Sequence, residues 1–132
     1  MIGIDTNILV RYVTNDHPEQ AALAVELLGQ PETILVANTV LLELEWVLRS
    51  VYDLKPSEIH QAMLQILGLP NVMPEDAEQV AVALSYYQRG MDFADALHLA
   101  INSSVQQFYT FDKAFVKRAG DSLPIVTLLV RK

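Results

Sequence analysis

TILVANTVLLELEWVLRSVY, residues 33–52, joins two hydrophobic patterns without a break. Thr33 to Ala37 is a short continuous apolar run, the pattern of a strand buried on both faces. Beyond it the spacing changes. Val40, Leu41, Leu44, Val47, Leu48 and Val51 recur at helical intervals and form one broad apolar face. Asn38 or Thr39 stands where a cap belongs, so the helix is expected to run from there to about Tyr52. A buried strand that passes directly into an amphipathic helix is half of a βαβ unit.

The rest of the chain repeats this alternation. Upstream, Met1 to Ile4 reads as a buried strand and Asn7 to about Tyr12 as a short helix. Pro18 to Leu28 reads as a helix, with Pro18 in its first turn and Gly29 at its end. Downstream, Pro56-Ser57-Glu58 starts a helix that ends near Gly68, and Asn71 to Met73 reads as a short strand. Helices are expected over Glu75 to Gln88, closed by Gly90, and over Asp92 to about Ser104. Gln107 to Thr110 reads as a strand, Lys113 to Ala119 as a short helix and Pro124 to Leu129 as the last strand. Short apolar strands alternating with helices predict an α/β fold with a parallel sheet covered on both faces. The length, 132 residues, fits one domain over 1–132. In such sheets ligands bind beyond the carboxyl ends of the strands. Asp5 ends the first strand and Asp112 ends the strand in FYTFD. With both strands parallel and central, the two carboxylates are expected on one edge.

Composition narrows the function. Apolar residues make up 52% and charged residues 19%, a folded composition. The chain has no cysteine, which excludes disulfides and thiolate metal sites. No His-x-x-x-His spacing suggests zinc. The longest apolar stretches are broken by Asn38, Glu43 and Glu45, too soon for a membrane span. Met1 leads straight into the first strand with no basic leader or cleavage-like site, so a cytoplasmic protein is expected. The net charge of −7 counts against passive duplex binding, which rests on Lys and Arg contacts to phosphate. It counts less against a metal-dependent enzyme, because a bound cation partly cancels a carboxylate cluster.

Each acidic position has a plain structural reading beside the chemical one. Asp5 and Asp112 each precede a helix and suit its N-cap. In MDFADALHLA, residues 91–100, Phe93, Leu97, Ala100 and Ile101 fall on one face, and Asp92, Asp95, His98 and Asn102 on the other. That is an ordinary solvated stripe, or a capping box of Asp92 with Asp95. It is also a pair of carboxylates that repel unless a cation lies near. Small Ala94 and Ala96 permit close approach beside Asp95. His98 is read as a polar neighbour. Glu43 and Glu45 lie on opposite margins of the helical face in residues 38–52, and periodicity does not choose between them. Trp46 and Tyr52 add aromatic surface for core or subunit contact. Arg11, Lys113, Lys117 and Arg118 are the cations available to a phosphate ligand, although Lys117 and Arg118 equally suit a helix C-terminus.

The order of these pieces carries more than any one of them. MIGIDTNILVRY at the N-terminus, LLELEWVL, DFADALHLA, YTFDKAF and a closing apolar strand together resemble the PIN domain, specifically the short VapC-type ribonuclease toxins. The resemblance covers essentially the whole chain. It implies a three-layer sandwich with a central, mainly parallel sheet flanked by helices. It implies an acidic quartet of Asp5, Glu43, Asp95 and Asp112, with Glu43 chosen over Glu45 because it holds the acidic place before Leu in the helix motif. Asp5, Asp95 and Asp112 are then metal ligands, Asp92 is an auxiliary one, and Thr6, Asn7 and Thr110 are supporting polar positions. An all-oxygen set suits Mg²⁺ or Mn²⁺. The implied reaction is RNA hydrolysis leaving a 5′-phosphate and a 3′-hydroxyl. The implied partners are a second copy in a homodimer and a cognate antitoxin whose tail covers the site. Rival readings are a PIN-type nuclease of RNA processing outside any toxin pair, a noncatalytic interaction module, and a metal-dependent phosphatase.

Overall fold

In the computed structural model, which describes residues 1–131, the run at residues 33–52 forms the expected strand and helix, although the helix ends at Ser50 and Val51 is exposed. Lys132, the last residue of the expected domain, lies outside the described residues. Strand β2 (Ile34–Val36) gives way after one residue to helix α3 (Asn38–Ser50). Ile34 and Val36 are fully buried, and the helical face of Leu41, Leu44 and Leu48 is buried with them. No helix among the described residues is long and apolar enough to cross a membrane.

The chain divides into two compact units, Met1–Ala77 and a second from Glu78 onward. In the first, β1 (Ile2–Gly3), β2 and β3 (Val72–Pro74) pair side by side in the order β1-β2-β3. All pairing is parallel, with Ile2 opposite Ile34 and Ile34 opposite Val72. Parallel neighbours require a crossover, which helices usually supply. Here α1 (Thr6–Thr14) and α2 (Pro18–Leu28) join β1 to β2, and α3 and α4 (Pro56–Leu67) join β2 to β3. At the amino ends of the strands, Asn71 Nδ2 donates to the carbonyls of Gln30 at 2.7 Å and Glu32 at 3.2 Å, tying two loops together.

In the second unit, β4 (Gln107–Thr110) pairs in parallel with β5 (Ile125–Leu128) across α7 (Lys113–Ala119). Helices α5 (Ala77–Gln88) and α6 (Phe93–Ile101) precede them. Tyr87 meets Phe93 edge-on at 5.3 Å between ring centres, and Phe108 lies 5.5 Å from Phe115. Such pairs fix α6 to α5 and α7 to its strand.

Several boundaries differ from the sequence reading for local reasons. Neither Asn38 nor Thr39 caps α3. Ala37 takes the cap position without a side-chain bond, and the Asn38 N–H donates to Glu75 Oε1 at 2.9 Å. Glu75, expected as the first residue of α5, is occupied there, and α5 starts at Ala77. Helix α6 stops at Ile101 rather than near Ser104. Asn102 folds its side chain back and donates to the His98 carbonyl at 2.7 Å, taking over a terminal acceptor. Ile101, expected on the buried face, is exposed.

Candidate active site

Asp5 lies two residues past β1, at the cap position of α1. Its Oδ1 accepts the Thr6 N–H at 2.7 Å, and its backbone carbonyl accepts the Ile8 N–H at 3.1 Å. The carboxylate caps the helix, as the local reading held, and remains exposed. Thr6 is buried beneath it and Asn7 is exposed.

The two glutamates of α3 part company. Glu45 is only 4% exposed, and Arg49 grips it with two bonds, Nε to Oε2 at 2.9 Å and Nη2 to Oε1 at 3.3 Å. A buried carboxylate held this way is structural. Glu43 is exposed, and no hydrogen bond engages its carboxylate among the described residues. Trp46, one helical turn further on, is 55% exposed.

Arg11 is engaged rather than free. It donates to Gln20 at 2.8 Å, to Asp16 at 2.9 Å and to the Tyr52 hydroxyl at 3.3 Å. The Tyr52 hydroxyl in turn donates to Asp16 Oδ2 at 2.6 Å, and Thr14 donates to Oδ1 at 2.9 Å. The Tyr52 bond foremost, then Thr14 and Arg11, hold the Asp16 carboxyl down at about 2. The sequence alone gave no signal for this cluster, because Tyr52 is 36 residues from Asp16.

The second unit gathers Asp92, Asp95 and Asp112. Asp92 caps α6, its Oδ2 accepting the Asp95 N–H at 3.2 Å. Asp112 caps α7, its Oδ1 accepting from Ala114 at 2.9 Å and Phe115 at 3.3 Å. Thr110 Oγ1 accepts the Asp112 N–H at 3.0 Å and so fixes the turn that carries it. Asp95 is half-buried, and no hydrogen bond reaches its carboxylate among the described residues. Burial pushes its carboxyl above the ordinary range, the charges of Asp92 and Asp112 push it further, and His98 opposes them. Lys113 and Lys117 are exposed, with no hydrogen bond or ion pair among the described residues. Arg118 is bonded through Nη1 to the Gly90 carbonyl.

This arrangement fits a hard divalent cation in its chemistry. The donors are carboxylate oxygens; among the described residues each cap engages one oxygen of Asp92 and of Asp112, and no hydrogen bond reaches the Asp95 carboxylate. Among the described residues, no three Asp, Glu or His side chains are grouped so as to hold an ion by themselves. Such ions commonly complete their coordination with water. Comparison with curated proteins returned no match. The profile of the PIN domain matches residues 2–121, a span that contains the whole acidic series from Asp5 to Asp112, and the chain belongs to that family.

Proposed function

We propose that this protein is a Mg²⁺- or Mn²⁺-dependent endoribonuclease, acting as the toxin of a VapBC-type toxin–antitoxin pair. PIN domains are generally nucleases that bind divalent metal ions. The observation that carries the reading is Asp95, a half-buried carboxylate with no hydrogen-bond partner among the described residues, raised by burial first and then by two neighbouring carboxylates. Such charge is costly in the bare protein and becomes useful once a cation is bound.

Asp95 and Asp112 are the ligands we assign in the second unit, with Asp92 auxiliary. Asp5 and Glu43 are the carboxylates assigned in the first, Asp5 as a ligand by the family resemblance. A bound divalent ion would lower the pKa of an attacking water and offset charge on the phosphate. Thr110 supports Asp112, and Thr6 and Asn7 follow Asp5. Lys113 and Lys117, exposed and unpaired among the described residues, are our phosphate contacts. Arg11 and Arg118 are weaker in that role, since both already donate to protein acceptors. We assign residues 1–132 to one PIN domain acting in the cytoplasm as a homodimer.

The direct test is cleavage of RNA with Mg²⁺ or Mn²⁺ against an EDTA control. Asp5→Asn and Asp95→Asn should each abolish cleavage and leave the circular dichroism spectrum unchanged. Full activity in either variant sinks the assignment. The toxin role predicts growth arrest on expression, relieved by a small protein encoded beside the gene.

A further inference from the structure

We propose that Arg118 is a positioning residue for the acidic centre: its bond to the Gly90 carbonyl fixes the start of α6, which carries Asp95, against α7, which Asp112 caps. The proposal rests on the metal-dependent reading above and extends it to a residue outside the carboxylate set.

Gly90 closes α5 and lies two residues before Asp92, the cap of α6. On the α5 side the turn is held by backbone bonds, Gly90 N–H to Tyr87 at 3.0 Å and Met91 N–H to Tyr86 at 3.1 Å. On the α7 side it is held by Arg118, from the last turn of that helix. The backbone is shaped for this contact. Gly90 takes a φ of +103°, and a Cβ there would stand 2.9 Å from Arg118 Nη1. Glycine serves the left-handed conformation here, and a Cβ would displace the guanidinium from the carbonyl it bonds.

Both ends of the tie are short, stiff levers. Asp95 sits in the first turn of α6, anchored by buried Phe93 and Ala96. Asp112 opens α7, anchored by buried Phe115 and Ala119. Arg118 is proposed to act through placement, by the bond that ties the α5–α6 turn to α7. Partners bonded directly to metal ligands typically change metal affinity by about 10- to 100-fold when removed, and Arg118, which bonds the backbone ahead of α6 instead, is expected at the lower end.

The experiment measures Mn²⁺ binding by calorimetry without RNA, for the wild type, Asp95→Asn, Arg118→Met and Arg131→Met, the last an exposed charge with no role in the site. Arg118→Met should weaken Mn²⁺ about tenfold, with Arg131→Met matching the wild type. In the metal-free protein, amide hydrogen exchange at Asp95 should quicken in Arg118→Met while the global unfolding midpoint holds, since the loss is a local opening. Wild-type Mn²⁺ affinity and wild-type exchange in Arg118→Met overturn the proposal. A raised KM for RNA with both of these unchanged would instead make Arg118 a substrate contact. If the wild type binds no Mn²⁺, or Asp95→Asn binds it equally well, the metal reading fails and this proposal falls with it. Should Arg118→Met not fold, Arg118→Gln keeps a polar head too short to reach the carbonyl and is read by the same two measurements.

Discussion

Asp95 and Asp16 are carboxylates of opposite temper. The Asp95 carboxyl is raised, so the folded metal-free protein holds that proton more tightly than the unfolded chain does. Stability from this group therefore falls as pH rises from the ordinary aspartate value through the raised one. Asp95→Asn removes the charge, and its metal-free melting temperature should exceed that of the wild type at pH 7, while its response to Mn²⁺ disappears. Thermal scans in EDTA and in Mn²⁺ check both. Asp16 behaves the other way. Its carboxyl is lowered to about 2, so its contribution is present above the ordinary value near 3.8 and is lost as pH falls towards 2. Tyr52→Phe deletes the strongest of its bonds and should move the acid-unfolding midpoint upward, read by circular dichroism between pH 2 and 4.

Helix α3 starts without a cap of its own and borrows the Glu75 carboxylate from the far side of β3. Glu75→Ala should cost about 1 kcal/mol, the usual range for a lost N-cap, measured by urea unfolding. Elements whose start and stop signals are local were legible. Pro18–Leu28, Gln107–Thr110 and Lys113–Ala119 match the sequence reading end to end. Pro18 and Gly29 bound the first of these, and the Asp112 cap starts the last. The elements that shifted did so where a distant group intervened. Glu75 lies 37 residues from the amide it caps, and no window of sequence contains both. The site divides the same way. Helix-capping Asp5, Asp92 and Asp112 were readable from their neighbours. The separation of Glu43 from Glu45 was not, because only packing decides which margin of an amphipathic helix is buried.

The whole chain carries a net charge of −7, and its acidic residues include the proposed ligands. A cation that binds only the folded form stabilises it by mass action, by about 2.7 kcal/mol at a hundredfold excess over its Kd. Mn²⁺ should therefore raise the melting temperature, and a scan with no metal-dependent shift counts against the reading. The core sets the larger part of the stability. Leu44→Ala, at a fully buried position of α3, should cost about 2–5 kcal/mol in urea unfolding. The single tryptophan adds a consequence for observation. Trp46 is 55% exposed and stands three residues beyond Glu43, on the neighbouring turn of the same helix. Its native emission should already be red-shifted, which makes it a poor reporter of unfolding. A paramagnetic ion or a stacking base arriving near Glu43 should quench it, so the protein carries an unlabelled optical probe of occupancy in its own α3.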